Sequence, residues 1–398
     1  MGIRGKQRRS AASPSGGAEP AAPRDWAVLN DALILLILDR LHSLRDVFVF
    51  AAVCRTWRAV FLPTFSALLP SRPPLLLRPV GTPFPSGVPR RRRLRPDRCD
   101  LLTPTDPSAS YLSIVSRRAL SHPFLGYSYG FLIFGGNRPF LANPFTGDEF
   151  FPPLLPSEQR ASFRCAALTA PLSSPDSNLL LCSSHFILRW RAGDARWSKH
   201  YLELQYTPIH QIITFNGQVL AFLIDERLFV IEFSPRFSMR QLAVRWADES
   251  VKFWLSVPPL LVECDGQLLM VRFSALEEQM FLSTIQIYRL DWPRMVWTRV
   301  HTLGDWALFV DIRGKSTASC SNPSRWGGNA DCIYCTGPNC DNWVVLPLDG
   351  GVVSTTDRQS PFFDNQFSSV DMPSPVWIYP NLEYSMDWTG QHAGESRD

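Results

Sequence analysis

Apolar residues recur at helical spacing between Trp26 and Phe61, in the segment WAVLNDALILLILDRLHSLRDVFVFAAVCRTWRAVF. Asn30 or Asp31 can cap a first helix that runs to about Leu41. These features predict that the chain begins its folded part with a helix rather than a strand.

Two further helices are predicted in the same segment. Ser43 and Asp46 have the spacing of a capping box, which marks the start of a second helix. Apolar positions then recur three or four residues apart. They are Phe50, Val53, Cys54, Trp57, Val60 and Phe61. We expect Pro63 to end this run, because proline lacks the N–H that a helix interior needs.

The first predicted helix is apolar around its whole circumference, from Ala32 to Leu38. About forty residues rarely form a self-sufficient core. One face of this helix can pack on the neighbouring helices. The other face either packs on the rest of the chain or binds a partner protein, since exposed apolar surface usually marks an interface.

The second part of the chain repeats a strand–turn–strand pattern. FNGQVLAFLI (Phe215–Ile224) and CDGQLLMVRF (Cys264–Phe273) are nearly the same sequence, and their Asn-Gly and Asp-Gly pairs are tight-turn signals. YGFLIFGGN and SNLLLCSSH fit the pattern more loosely. The anchor residues of the four copies lie about 40 to 50 residues apart; they are Gly130, Asn178, Gly217 and Gly266.

A repeat of this length is typical of propeller blades, and the room available gives six or seven of them. A β-sandwich with coincidental spacing is the alternative, and the shared Asn/Asp-Gly-Gln register favours the propeller. The predicted fold class is therefore α+β and multidomain, with a short three-helix unit followed by an all-β propeller.

This reading divides the chain into five segments. They are a disordered N-terminus (1–24), the helical unit (26–65), a Pro/Arg-rich linker (66–109), the propeller (110–385) and a disordered tail (386–398). The linker contains PPLLLRP, which could form one extended strand. Its four consecutive arginines, Arg90 to Arg93, fit a solvated loop better than a nuclear import signal or a patch for an acidic partner.

Composition narrows the partners and the compartment. The 398 residues carry a net charge of only +4, which is too weak and too dispersed to indicate nucleic acid as the main partner. The longest apolar run is too short to span a bilayer, and the first 24 residues lack the apolar core of a signal peptide. We expect no membrane association and an intracellular protein, cytoplasmic or nuclear, with reduced thiols.

Cysteine and histidine spacing does not predict a catalytic or metal centre. Cys332-x-x-Cys335, with Cys320 and Cys340 nearby, invites a zinc interpretation. However, DCIYC has the pattern of a strand, in which residues three apart point to opposite faces. A zinc site needs both thiols on the same side. The seven histidines form no metalloprotease motif, and no nucleophile elbow or P-loop is present. We expect no metal, no cofactor and no enzymatic activity of the chain itself.

The order of residues in the helical unit resembles an F-box, with a Leu/Ile helix followed by Val-Cys-x-x-Trp-Arg. Asn30 stands where that family usually has Pro. The matching positions are Leu29, Leu36, Ile37, Leu41, Val53, Cys54, Arg55, Trp57 and Arg58. In F-box proteins this helical trio binds a Skp-type adaptor and, through it, a cullin scaffold. The resemblance implies that these positions, apart from Arg55, bind such an adaptor, with Trp57 holding the helices together.

The region from Leu260 to Cys335 resembles the C-terminal domain of the plant KIB-type F-box family. The most specific block is LGDWALF, with matches at Leu303, Gly304, Asp305, Ala307, Leu308 and Phe309. NPFTGDEFFPPL (Asn143–Leu154) is also similar to that family. The resemblance implies a β-propeller that acts as a substrate receptor.

Together these features predict a substrate-recognition subunit of a cullin-based ubiquitin ligase, whose propeller binds an unidentified target protein. Arg325 and Trp326, both of residue types common at interface hot spots, are candidates for target contact. Two alternatives stay open: an F-box-like interaction protein outside a ligase, and a small-ligand-binding or enzymatic propeller.

Overall fold

A computed structural model gives the architecture of most of the chain. It describes residues 26–81, 96–156, 162–203, 207–247, 257–276, 279–337, 343–348 and 375–380. The predicted disordered ends (1–24 and 386–398), the four consecutive arginines and Cys340 lie outside these residues.

The first described segment contains the three predicted helices, α1 (Asp31–Arg40), α2 (Leu44–Ala52) and α3 (Arg55–Leu68). Asn30 caps α1 by accepting a hydrogen bond from the Ala32 amide at 2.8 Å. Ser43 caps α2 in the same way, with the Asp46 amide as donor at 3.1 Å. The two predicted starts are therefore confirmed, and each is set by one polar side chain.

Helix α3 does not end at Pro63, so that prediction is wrong. The helix continues to Leu68 with Pro63 in its interior, on the exposed side. Phe61 and Phe65 lie on its buried side, where both contact the ring of Phe48. Burial of Phe65 depends on the extra turn after the proline, and this burial offsets the hydrogen bond that proline removes.

The described strands form six sheets, which are the blades of a propeller. Blade 1 contains β1 (Leu75–Gly81), β2 (Pro96–Thr103), β3 (Asp106–Leu112) and, from the far end of the chain, β25 (Val376–Ile378). Blade 2 contains β4 (Phe124–Ser128), β5 (Phe131–Phe134), β6 (Phe140–Ala142) and β7 (Glu149–Phe150). Blade 3 contains β8 (Cys165–Leu168), β9 (Asn178–Cys182), β10 (Phe186–Arg191) and β11 (Ser198–Tyr201).

The remaining blades complete the ring. Blade 4 contains β12 (Ile209–Phe215), β13 (Gln218–Leu223), β14 (Leu228–Glu232) and β15 (Ser238–Gln241). Blade 5 contains β16 (Arg245–Trp246), β17 (Leu260–Cys264), β18 (Gln267–Leu276), β19 (Gln279–Asp291) and β20 (Val296–Val300). Blade 6 contains β21 (Trp306–Asp311), β22 (Thr317–Ser321), β23 (Cys332–Thr336) and β24 (Val344–Pro347). The propeller therefore has six blades, the lower of the two predicted numbers.

The repeated sequence motif marks the same turn in successive blades. Asn216-Gly217 joins β12 to β13, and Asp265-Gly266 joins β17 to β18. All four residues have positive φ, between 48° and 70°. This is the backbone of the tight hairpin turns that Asn-Gly and Asp-Gly favour, so the predicted hairpins are confirmed.

The propeller begins earlier than predicted. Strand β1 pairs with β25, with Leu76 opposite Trp377, so the first and last described strands close the ring within one sheet. Strands β1 and β2 and the first four residues of β3 fall in the segment that the sequence suggested was a linker. The boundary at 110 is therefore wrong, because the strand suggested for PPLLLRP belongs to blade 1, and its partner β25 lies about 300 residues away.

The helices and the propeller share one hydrophobic core. Ile34, Phe50 and Phe61 of the helices belong to the same buried cluster as Leu77 of blade 1 and Phe134 of blade 2. One side of the helical unit therefore packs on the propeller, which was one of the two possibilities for its apolar surface.

Candidate protein-binding surface

The other side of the helical unit is exposed and apolar. Thirteen large apolar side chains of the described residues are markedly exposed, and eight of them lie between residues 26 and 62. These eight, here called the apolar helical face, are Trp26, Val28, Leu33, Leu35, Leu36, Val49, Val53 and Leu62. Such a concentration on about one tenth of the chain is a feature of protein-interaction sites.

Helical spacing brings several of these residues together. Leu33 and Leu36 are three residues apart on α1, so their side chains share one side of that helix. Val49 and Val53 are four residues apart at the end of α2, with the same consequence. Leu36 is 59% exposed although seven consecutive residues of its helix, from Ala32 to Leu38, are apolar. Each helix therefore presents apolar residues both to the core and to solvent.

The residues predicted to bind an adaptor divide into three groups. Leu36, Val53 and Arg58 are exposed. Leu29, Ile37, Leu41 and Cys54 are half-buried and pack against the shared core. Trp57 is buried. Val53, which the sequence placed in one apolar run with Phe50 and Trp57, lies at the end of α2 and is 56% exposed.

Trp57 holds the helical unit together, as predicted from the resemblance. Its ring lies 4.5 Å from the ring of Phe50 in α2, measured between centroids. Its indole N–H donates to the carbonyl of Trp26 at 3.0 Å. Only 9% of the side chain is exposed, so Trp57 acts through the fold of the helices.

Arg58 and Cys54 also have local structural tasks. The Arg58 Nε donates to the carbonyl of Ala51 at 3.1 Å, which satisfies a carbonyl in the last turn of α2. The Cys54 sulfur accepts from the Trp57 amide and caps α3. These contacts give Cys54 and Arg58 of the Cys-x-x-Trp-Arg pattern roles in closing the ends of the helices.

Arg72 fixes the helices to the start of blade 1. Its side chain is buried, and it donates to the carbonyls of Leu38 and Leu41 at 2.8 and 3.0 Å. It also donates to the carbonyl of Leu68 at the end of α3. A cation at two helix C-termini adds a donor to the terminal carbonyls and opposes the negative ends of both helix dipoles. Sequence reasoning missed Arg72, since it lies in a Pro-rich segment without periodicity.

Arg325 and Trp326, the predicted target contacts, are used within the chain. Trp326 is only 6% exposed and packs beside Phe309 and Tyr334. Arg325 donates to the carboxylate and the carbonyl of Asp39 at the end of α1, at 2.9 and 2.8 Å. This ion pair joins blade 6 to the helical unit and lowers the pKa of Asp39, chiefly through the hydrogen bond from Arg325.

A cavity of about 560 Å³ lies along the axis of the propeller. Residues of β4, β8, β12, β17 and β22 line it, so these are the inner strands of their blades. Leu69 and Pro70, which follow α3, reach its wall near one end of β22, where Ser321 donates to the Pro70 carbonyl at 3.1 Å. The helical unit therefore borders one mouth of the cavity.

The turn that precedes β22 crosses the opposite end of the cavity. The Lys315 carbonyl accepts from the Tyr127 amide of blade 2 at 3.0 Å. The ammonium group of Lys315 donates to the Arg164 carbonyl beside blade 3. Gly314, with φ of 68°, lies so close to His210 of blade 4 that a Cβ would approach its Nε2 to 2.7 Å. This turn ties blade 6 to three other blades, and no sequence motif signalled it.

The cysteines of the zinc interpretation do not converge. Cys332 packs in a cluster with Cys320, whereas Cys335 packs in a different cluster on the other face of β23. This confirms the prediction that the two thiols of Cys332-x-x-Cys335 point to opposite faces. Among the described residues, no group of three or more His, Cys, Asp or Glu side chains could hold a metal ion. In that same part of the chain, no helix is long and apolar enough to cross a membrane.

The KIB1-4 beta-propeller family model matches residues 102–364, which is more than half of the chain. The chain belongs to this family. The match confirms the resemblance seen between Leu260 and Cys335, and it begins within blade 1. No curated protein is similar enough to match the chain.

Three solved structures illustrate how distant the structural similarities of this KIB1-4 propeller are. YCF48 from Cyanidioschyzon merolae is 9% identical over 52% of this chain and 69% of that chain, with a TM-score of 0.30. Apo AztD from Citrobacter koseri is 11% identical over 55% and 58%, with a TM-score of 0.32. BBS1N, solved in complex with ARL6DN, is 11% identical over 50% and 68%, with a TM-score of 0.28. The family match, and not these similarities, identifies the chain.

Proposed function

We propose that this chain is the substrate-recognition subunit of a cullin-based ubiquitin ligase. In this proposal the apolar helical face binds a Skp-type adaptor, and the propeller binds a target protein. The chain performs no chemistry itself, because transfer of ubiquitin takes place on partner subunits and this subunit contributes proximity and orientation.

The observation that carries the proposal is the apolar helical face. Its residues stay exposed although the opposite side of the same helices is buried in the core shared with the propeller. A partner that covered Leu33, Leu36 and Val53 would remove that apolar surface from water. Such burial stabilises a complex by about 25 cal/mol for each Å² of apolar surface. The F-box resemblance of these helices supports a Skp-type adaptor as that partner.

The helical unit is well placed to couple two binding events. Arg72 and the Arg325–Asp39 pair fix it against blades 1 and 6. A target bound to the propeller would therefore be held in a set orientation to the adaptor. That geometry suits a receptor that must present its target to an enzyme on another subunit.

Adaptor binding is tested with the double variant Leu33→Glu/Leu36→Glu in the full-length protein. We expect an affinity at least about 30-fold weaker than wild type, the loss typical of hot-spot residues. The free energy of unfolding should change by less than about 0.5 kcal/mol, since both side chains are exposed. Leu154→Glu, which alters an exposed leucine of the propeller domain, is the control and should bind like wild type.

Membership of a ligase is tested by proximity labelling in cells with wild type and the same double variant. We expect wild type to label the adaptor, a cullin and a set of target proteins, and the variant to label the targets alone. If wild type labels neither adaptor nor cullin, the chain is an interaction protein outside a ligase.

The axial cavity favours a second candidate, a propeller that binds a small ligand. Its volume lies within the range of small-molecule sites, and its lining includes two acidic residues, Glu263 and Asp265, and one basic residue, Lys315. Native mass spectrometry of the protein purified from cells tests this idea. A bound mass that is released on denaturation supports it, and a spectrum of the bare chain at every charge state opposes it.

A further inference from the structure

Two cysteines lie directly opposite each other on neighbouring strands of blade 3. Cys165 of β8 pairs with Cys182 of β9 in an antiparallel register, so both side chains point to the same face of the sheet. Both belong to one buried cluster, in which the Cys165 thiol donates to the carbonyl of Ile209 at 3.6 Å. Residues opposed in this way have Cα atoms about 4.5–5.5 Å apart, which lies within the range that a disulfide can bridge.

Cys165 also forms part of the wall of the axial cavity. The Lys315 ammonium lies beside it, held by the Arg164 carbonyl, the residue next to Cys165. A positive charge near a thiol favours the thiolate, which is the form that reacts with oxidants. Cys165 is thus a thiol with a nearby cation, a position on the cavity wall and a second thiol directly opposite on the neighbouring strand.

The other shifted thiols are in a different electrostatic environment. Burial raises the pKa of Cys99, Cys264 and Cys320 to about 12. The hydrogen bond from Cys182 and the charge of Lys315 lower the pKa of Cys165 despite its burial. The pKa of Cys182 is raised, because it donates its hydrogen to Cys165 and is itself buried. Cys165, which lines the cavity and lies beside Lys315, is therefore the sulfur placed to react first.

We propose that Cys165 and Cys182 form a peroxide-sensitive redox pair, in which Cys165 is the attacking thiolate and Cys182 the resolving thiol. The Cys165 sulfur attacks one oxygen of hydrogen peroxide and displaces hydroxide, which takes up a proton and leaves as water. Cys165 is then a sulfenic acid.

The Cys182 sulfur next attacks the sulfur of this sulfenic acid. A Cys165–Cys182 disulfide forms, and the sulfenic hydroxyl leaves as water with the proton of Cys182. The two thiols lose two electrons in all, and these reduce one peroxide to two waters. A dithiol reductant then reduces the disulfide to the two thiols by thiol–disulfide exchange.

Oxidation also changes the end of the cavity. In the reduced protein Lys315 lies beside a sulfur that can carry negative charge, and in the disulfide that charge is gone. Since the Lys315 turn ties blade 6 to blades 2, 3 and 4, the pair links the redox state to the contact that closes the cavity.

The test titrates the reduced full-length protein with hydrogen peroxide, followed by alkylation in denaturant and peptide mass mapping. We expect the disulfide-linked peptides of Cys165 and Cys182 to appear first, at peroxide concentrations at which Cys264 and Cys320 are still reduced and become alkylated. The proposal is wrong if those two cysteines oxidise at the same rate, or if Cys165 passes to a sulfinic acid without forming the disulfide.

Variants separate the roles of the groups. Cys182→Ser should leave a sulfenic acid at Cys165 that reacts with dimedone. Lys315→Met should slow the oxidation of Cys165 by roughly tenfold, the effect of about one pKa unit on the thiolate fraction. Lys199→Met, on the outer strand of the same blade, should leave the rate unchanged. An unchanged rate in Lys315→Met contradicts the role of that ammonium, and if a variant does not fold, the order of oxidation in wild type decides the proposal.

Discussion

At the residue scale, single side chains of the helical unit have tasks that reach beyond one helix. Trp57 contacts Phe50 of α2 and donates to the Trp26 carbonyl, and the core around it continues into the propeller. A change at this position therefore affects the whole folded unit rather than a detachable helical trio.

Trp57→Ala should lower the free energy of unfolding by about 3–5 kcal/mol, the usual loss when a buried Trp is truncated. Trp57→Phe keeps a ring against Phe50 but loses the indole hydrogen bond. We expect it to lower the free energy of unfolding far less, by about 1 kcal/mol for the lost bond plus a contribution from the smaller ring. Urea denaturation of the full-length proteins gives both values. Equal midpoints for Trp57→Ala and wild type would show that the packing around this ring is not stabilising.

His210 is a residue whose protonation opposes folding. Its Nε2 is buried without a hydrogen-bond partner, and it faces Gly314 in the Lys315 turn. Burial, with a smaller effect of the Lys315 charge, lowers the pKa of His210 from 6.5 to about 4. The unfolded chain binds this proton at a higher pH than the folded chain. The contribution of neutral His210 to the free energy of unfolding is therefore complete above pH 6.5 and is lost as the pH falls toward 4.

We expect His210 to reduce stability by about 1–3 kcal/mol between pH 7 and pH 4.5. The measurement compares the urea midpoints of wild type and His210→Asn across this range. Asp311, whose pKa burial raises to about 6, has the opposite dependence, but it is present in both proteins and cancels in the difference. Parallel profiles for the two proteins would contradict the assignment to His210.

At the element scale, the helix starts and the end of α1 near Leu41 were predictable, whereas the end of α3 was not. Asn30 and Ser43 cap α1 and α2 through contacts within three residues, so the local sequence contains the whole signal. The continuation of α3 past Pro63 depends on Phe48, which contacts Phe65 from another helix. No local pattern in α3 could reveal that contact.

Pro63 should therefore be a destabilising residue that the fold tolerates. Pro63→Ala restores the amide hydrogen in the interior of α3 at an exposed position, so we expect stability to rise by about 1–3 kcal/mol. Part of the gain is offset because proline also restricts the unfolded chain. The thermal midpoint of the full-length protein checks this expectation, with Pro70→Ala, beyond the end of α3, as the control. A lower midpoint for Pro63→Ala would mean that the proline ring makes contacts that α3 needs.

The binding surface was predicted in part at this same scale. The all-round apolar character of α1 indicated that some of its residues must face outward, and Leu33 and Leu36 do so. Which residues face outward could not be derived, because the sequence pattern does not show where the propeller packs. Arg325 illustrates the limit: a residue type typical of interfaces is engaged inside the chain by Asp39.

At the scale of the whole molecule, local repeats predicted the blades and long-range pairing set their limits. The Asn-Gly and Asp-Gly turns mark blades 4 and 5 because each hairpin is local. Blade 1 combines β25 with strands from the other end of the fold. The sequence of β25, three apolar residues in a Pro-rich segment, contains no sign of its partner, and this is why the predicted boundary was wrong.

Ring closure through β25 should make the propeller one cooperative unit. Trp377 of β25 is buried and packs against Phe309 of blade 6, with ring centroids 5.0 Å apart, while the backbone of β25 pairs with β1. A chain truncated after Leu348 lacks this strand. It leaves β1 with an open edge and exposes the inner side of blade 6, so the cost falls on two blades at once.

We expect the chain truncated after Leu348 to lose its sharp unfolding transition, whereas a chain truncated after Pro380 keeps β25 and the transition of the full protein. Differential scanning calorimetry and near-ultraviolet circular dichroism of the two proteins test this at matched concentration. A single sharp transition at an unchanged temperature in the shorter chain would show that five blades and a partial sixth fold independently of closure. Residual strand signal without such a transition, by contrast, is the outcome that closure through one three-residue strand predicts, because hairpins can persist locally after the ring has opened.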